Sequence, residues 1–195
     1  MSQVKSVMIV GVGGQGTLLA SKILGNVLMS QGYDVKVSEV HGMSQRGGSV
    51  VTYVKYGDKV YSPVVEIGEA DAIISFESLE AARWLPYLKQ DGKLIVNTQQ
   101  IAPMPVVTGA MSYPQQVIEK IRAKGVDLLA LDALSLAEQA GSAKAVNVVL
   151  MGVLSVLLHF PEEVWQSALE QCVPPKFLEL NRKAFALGRS AQEAL

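Results

Sequence analysis

Apolar residues along the chain alternate between short β-branched runs and longer stretches at helical spacing, the rhythm of an α/β protein. Residues 7–10 form a β-branched run that ends in glycines, as a buried parallel strand would. Leu18, Leu19, Ile23, Leu24, Val27 and Leu28 then recur on one helical face, and Gly32 closes that helix in a turn. Residues 35–40 give a second strand. Residues 50–55 alternate as a strand, and 59–65 resemble its antiparallel partner across a turn at Gly57 and Asp58. A buried strand at 71–76, a helix at 79–88, and a strand at 92–97 after a turn at 90–92 follow. Two prolines make 101–105 a loop or extended segment. A helix at 115–124 stops at Gly125, and a last strand at 126–131 leads into a helix at 133–140 capped by Asp132. From residue 143 onward the pattern is helical: an apolar helix at 145–158, a second at 162–172 opened by Pro161, and a third at 177–194 after Pro174 and Pro175. The expected fold is one α/β domain over residues 1–195. Its sheet is Rossmann-like and mostly parallel, with an antiparallel hairpin and a helical C-terminal third.

Composition narrows the chemistry. A net charge of −1 without long basic runs argues against a nucleic-acid surface. The apolar stretch at 145–158 falls short of the roughly 20 residues of a membrane span. The first apolar run ends in a glycine loop rather than a cleavage site, so no signal peptide is expected. One cysteine, Cys172, excludes an internal disulfide and a self-contained iron–sulfur cluster, and fits a reducing, cytoplasmic setting. His41 and His159 have no companion ligand at metal spacing, so no metal site is expected.

Three stretches carry candidate chemistry. Gly11, Gly13 and Gly16 stand in a G-x-G-x-x-G pattern, with Gly14 and Gln15 between them. Such glycines allow a tight turn and close backbone approach, and the following helix offers its N-terminus to an anion. About 23 residues past Gly16, Glu39 stands near the end of the second strand, where a dinucleotide fold places its ribose-binding acid; an ordinary strand-end carboxylate is the alternative. Next comes a polar, glycine-rich segment from His41 through Ser44, Gln45, Arg46, Gly47 and Gly48, just beyond a strand's carboxyl end. Arg46 supplies a planar donor fork for phosphate or carboxylate. Asn147, inside the apolar helix, is a buried polar group that needs a partner: an internal backbone contact, another subunit or a ligand. On these features alone, a free-standing NAD- or ATP-binding enzyme remains a candidate.

The glycine motif at 11–16 and the run Ser38-Glu39-Val40-His41-Gly42-Met43-Ser44-Gln45-Arg46-Gly47-Gly48-Ser49 together resemble the gamma-type domain of 2-oxoacid:ferredoxin oxidoreductases. The Ser-Glu-Val-His-Gly-Met form is similar to the beta subunit of the indolepyruvate branch. Tyr61-Ser62-Pro63, Ala70-Asp71 and the helix holding Asn147 extend the likeness over most of the chain. The resemblance implies oxidative decarboxylation of an aryl 2-oxoacid with coenzyme A, giving acyl-CoA, CO2 and reduced ferredoxin. It implies that thiamine diphosphate, magnesium and iron–sulfur clusters reside on a larger partner subunit, which also meets ferredoxin. This chain would be inactive alone, whether a monomer or a homodimer. Its share would be assembly, covering the active site, and binding of coenzyme A or substrate at the two loops.

Overall fold

The computed structural model describes residues 4–42 and 47–193. Strand β1 (Lys5–Val12) leads through the glycine loop into α1 (Thr17–Ser30). Strands β2 (Asp34–His41) and β3 (Ser49–Gly57) follow, then β4 (Ala70–Ser75) and α2 (Ser78–Trp84). Strand β5 (Leu88–Asn97), short helices α3 (Met104–Val107) and α4 (Val117–Arg122), and β6 (Asp127–Leu131) complete the sheet layer. Helices α5 (Ala133–Ala140), α6 (Val146–Leu158), α7 (Glu162–Cys172) and α8 (Leu178–Glu193) form the C-terminal third.

The sheet order is β2-β3-β1-β4-β5-β6. Only β3 runs against the rest, pairing antiparallel with β1 on one side and β2 on the other. Strand β1 therefore has a parallel neighbour, β4, on one flank alone. Side-chain alternation splits β1 between two cores. Val7 and Ile9 face α1 and the C-terminal helices, while Met8 and Val10 face α2 and α4. All four are almost fully buried. The first face is the thicker, filled by Ile23, Leu24, Val27 and Leu28 of α1 with residues of α6, Trp165 and Phe185. Helices α6 and α8 meet backbone to backbone: a Cβ on Gly152 would lie 2.1 Å from the Phe185 carbonyl oxygen, and one on Gly188 2.0 Å from that of Val149.

Five expectations need correction. Residues 59–65 are not a strand, and the hairpin partner of β3 is β2, joined to it through residues 42–48. Pro63 has no N–H for a ladder, and burial in this segment picks out Val60 and Val65 rather than alternate residues. Asp34 at the start of β2 instead pins it by accepting from the Val60 amide at 2.9 Å. The 79–88 helix ends at Trp84 in a 3-10 turn around Pro86, and β5 begins at Leu88. The 90–92 turn is absorbed into β5 as a bulge, because Ala70 pairs Leu88 while Ala72 pairs Lys93. Pro105 opens the short helix α3 instead of excluding one, since an amide at that position has no helical partner to lose. The 115–124 helix contracts to α4, preceded by Gln116 in the left-handed region at φ 56°. Elsewhere boundaries shift by a residue or two; Gly32, for example, follows the cap at Gln31 with φ 82°.

Candidate functional site

The carboxyl ends of β1, β2, β4, β5 and β6 share one edge of the sheet with the start of β3, and both sequence motifs lie there. Beyond Val12, the ladder between β1 and β3 continues into the motifs themselves. The Gly13 amide donates to the Gly48 carbonyl at 2.9 Å, and the Gly47 amide to the Gly13 carbonyl at 3.5 Å. Two segments about 35 residues apart in sequence are thus one local structure, built because β3 is antiparallel to β1.

Gln15 does not present itself to a ligand. Its Oε1 accepts from the Val12 amide at 2.8 Å and its Nε2 donates to the Phe76 carbonyl at 2.9 Å. The Phe76 amide in turn donates to Val10. A Cβ on Gly11 would sit 2.8 Å from Gln15 Oε1 and 3.0 Å from the Phe76 Cβ, so only glycine fits there. Open α/β sheets usually bind nucleotides in the crevice where strand order reverses, here between β1 and β4. Gln15 spans that crevice, joining the end of β1 at Val12 to Phe76 just past β4.

Gly14 (φ 102°) and Gly16 (φ 84°) take left-handed backbone that a side chain would strain. Asn147 finds an internal partner. Its Nδ2 donates to the Gly16 carbonyl at 3.2 Å, and a Cβ on Gly16 would lie 2.6 Å from that nitrogen. Asn147 therefore holds the entry to α1 from the helical layer.

On the other flank of the loop lies a depression of about 260 Å³, lined by Gly13, Gly14, Gly16, Thr17, Leu18, Glu39, His41 and Val50. Glu39 stands one strand further from β1 than a dinucleotide-binding acid, because β3 intervenes. Its Oε2 nevertheless reaches back, accepting from Thr52 Oγ1 at 3.1 Å and Thr17 Oγ1 at 3.4 Å. His41 is exposed, with Nδ1 3.2 Å from the Gly42 carbonyl. Ser44, Gln45 and Arg46 lie outside the described residues.

Sequence inspection missed a polar cluster at the same edge. Glu77 caps α2, accepting from the Glu80 amide at 3.0 Å and the Ile101 amide at 3.1 Å, and from the Tyr113 hydroxyl. Burial and the Glu77 carboxylate push the Tyr113 hydroxyl well above the usual tyrosine range. Glu80 collects the Ser49 hydroxyl, Arg83 Nε at 3.1 Å and Trp84 Nε1 at 3.2 Å. Asn97, fully buried, donates to the Phe76 carbonyl at 3.1 Å and accepts from the Ala133 amide at 3.1 Å. The one available signal was two acids three apart immediately after a buried strand, spacing that also suits an exposed helix turn.

Residues 6–191 match the model of the family described as pyruvate ferredoxin/flavodoxin oxidoreductase. The chain belongs to this family. An indolepyruvate oxidoreductase subunit IorB from Thermococcus kodakarensis is 44% identical, with 97% of each chain covered. The gamma subunit of a keto/oxoacid ferredoxin oxidoreductase from Geobacter sulfurreducens shares the fold, with TM-score 0.74, 24% identity, and 98% and 99% of the two chains covered. The fold also recurs inside a longer chain. All of this chain superposes on 32% of a 2-oxoglutarate:ferredoxin oxidoreductase chain from Magnetococcus marinus, at TM-score 0.78 and 18% identity.

The family's chemistry calls for groups that this subunit's residues do not fit. A cluster needs several thiolates, and the lone Cys172 sulfur already accepts from Asn26 Nδ2 at 2.9 Å. Among the described residues no group of three or more His, Cys, Asp or Glu side chains could hold a metal. No helix among the described residues is long and apolar enough to cross a membrane.

Proposed function

We propose that this chain is the small, thiamine-free subunit of a 2-oxoacid:ferredoxin oxidoreductase that acts on aryl pyruvates of the indolepyruvate type. The observation that carries it is the family match across residues 6–191 together with the 44% identity to a protein named as an indolepyruvate oxidoreductase subunit. The overall reaction balances as 2-oxoacid, coenzyme A and two oxidised ferredoxins giving acyl-CoA, CO2, two reduced ferredoxins and a proton. Thiamine diphosphate, magnesium and the clusters belong to a larger partner subunit, through which electrons reach ferredoxin. Coenzyme A is the co-substrate for which this chain offers a surface. The longer chain from Magnetococcus marinus, with the same fold in one third of its length, was solved with 2-oxoglutarate, coenzyme A and succinyl-CoA bound.

In this reading the paired loops are the contribution of the subunit. Gly47 and Gly48 are held against Gly13, and Arg46, next along the chain, supplies a guanidinium for an anionic part of coenzyme A or substrate. Gln15 and Asn147 hold the loop rather than the ligand. A free-standing NAD- or ATP-binding enzyme has no support, since the family match spans residues 6–191 and Gln15 bridges β1 to Phe76 at the crevice such a nucleotide would approach. Co-expression with the partner followed by size exclusion tests the assignment. Co-elution with a subunit bearing thiamine and clusters is expected; independent elution at micromolar concentration contradicts it.

A further inference from the structure

Glu77 and Glu80 leave only 1% and 4% of their surfaces exposed, yet both carboxylates keep every hydrogen bond named above within the protein. Burying two carboxylates one helical turn apart is costly unless donors surround them, and apolar residues of similar volume would often serve stability better. Their partners differ. Glu77 ties α2 to Ile101 and Tyr113, beyond β5. Glu80 alone reaches across to β3, where it takes the Ser49 hydroxyl. Ser49 pairs with Val12 in the ladder and directly follows Gly48, whose carbonyl receives the Gly13 amide. Arg83 Nε and Trp84 Nε1 fix the Glu80 carboxylate from its own helix, so its position is set before Ser49 is engaged.

We infer that Glu80 is a positioning residue for coenzyme A use: through Ser49 it sets the register in which the Gly47–Gly48 turn locks onto the glycine loop. The inference rests on the functional reading above, which assigns those loops to the co-substrate. Glu80→Gln replaces the charged acceptor of the Ser49 hydroxyl by a neutral amide and turns an NH2 either toward Arg83 Nε or toward Ser49 and Trp84 together, whereas Glu77→Gln disturbs an equally buried carboxylate with no partner on β3 among the described residues.

The test has two arms. In the isolated full-length chain, Glu80→Gln and Ser49→Ala accelerate hydrogen exchange of the Gly13 amide on the order of tenfold, while Glu77→Gln leaves it within twofold. In the co-expressed complex, Glu80→Gln lowers kcat/KM for coenzyme A on the order of tenfold. Ser49→Ala lowers it as much, the double variant adds no more than a further twofold, and Glu77→Gln costs thermal stability without this kinetic change. Equal exchange and kinetic effects from Glu77→Gln and Glu80→Gln, scaling with lost stability, would overturn the inference, as would a silent Ser49→Ala. Should the wild-type complex oxidise no 2-oxoacid, the functional reading fails, and the exchange arm still decides whether Glu80 sets the loop register.

Discussion

Replacing Gln15 by alanine removes the clamp that closes the β1–β4 crevice, and the structure lets its cost be worked out. Gln15 makes two backbone bonds of 2.8 and 2.9 Å. The two partners are not equally exposed to the loss. The Phe76 carbonyl retains a bond from Asn97 Nδ2 at 3.1 Å, so it stays satisfied. The Val12 amide faces the β4 side of β1, since the Gly13 amide beside it donates to Gly48 on the β3 side, and Val12 is buried. An orphaned buried amide costs about 1–3 kcal/mol, and the lost second bond adds about 0.5–1.5 kcal/mol. A total of about 1.5–4.5 kcal/mol corresponds to roughly 3–18 °C in the thermal midpoint for a chain of this size. Urea unfolding of the isolated chain, followed by circular dichroism, measures it directly. Gln15→Glu separates the two bonds: its carboxylate still accepts from Val12 but meets the Phe76 carbonyl with an oxygen. That glutamate is stable when protonated, so its folded pKa is raised and its deficit grows as pH rises through that value. A Gln15→Ala loss below about 0.5 kcal/mol with an unchanged urea slope would refute the clamp.

Other outcomes follow from the same structure. Gly152→Ala and Gly188→Ala each drive a Cβ into backbone at the α6–α8 contact, so either should cost about 3 kcal/mol or prevent soluble folding, measured by thermal melts. Asp132→Ala removes the α5 cap and should cost about 1 kcal/mol at neutral pH. Because the Ser135 hydrogen bonds hold the Asp132 carboxyl below its usual range, that difference is full above the unfolded carboxylate pKa. It fades as pH falls through the lower folded one, a trend pH-dependent denaturation will show. Arg46→Ala should weaken coenzyme A or 2-oxoacid use tenfold to a hundredfold in the assembled complex while the subunits stay together, with Arg46→Lys recovering part. Dissociation of the subunits would make Arg46 an interface anchor instead, and unchanged kinetics would leave it a solvated side chain.

Much of the architecture was legible in the chain because burial imposes periodicity. The β1 run, the α1 stripe, the Asp132 cap and the apolar α6 all stand where their patterns place them. The antiparallel partner of β3 was misjudged because 59–65 has strand-like residues but a proline within it, while the true partner lies across a glycine-rich connection that reads as a ligand loop. Both motifs were visible as motifs. Their pairing was not, since it follows from sheet order, which no local pattern states. Gln15 read as a ligand group because its inward hydrogen bonds depend on Phe76, 61 residues on. Glu80 escaped notice because its partner Ser49 lies 31 residues away, across the sheet.

As proposed, this chain completes an enzyme whose redox chemistry resides on its partner. The most direct test adds purified chain to the thiamine- and cluster-bearing subunit prepared alone, and follows dye reduction dependent on indolepyruvate and coenzyme A. Neither component alone should form acyl-CoA, and the rate in the mixture should rise with added chain until the two are equimolar. Full coenzyme A-dependent activity in the large subunit without this chain, or 2-oxoacid-dependent reduction by this chain alone, would contradict it.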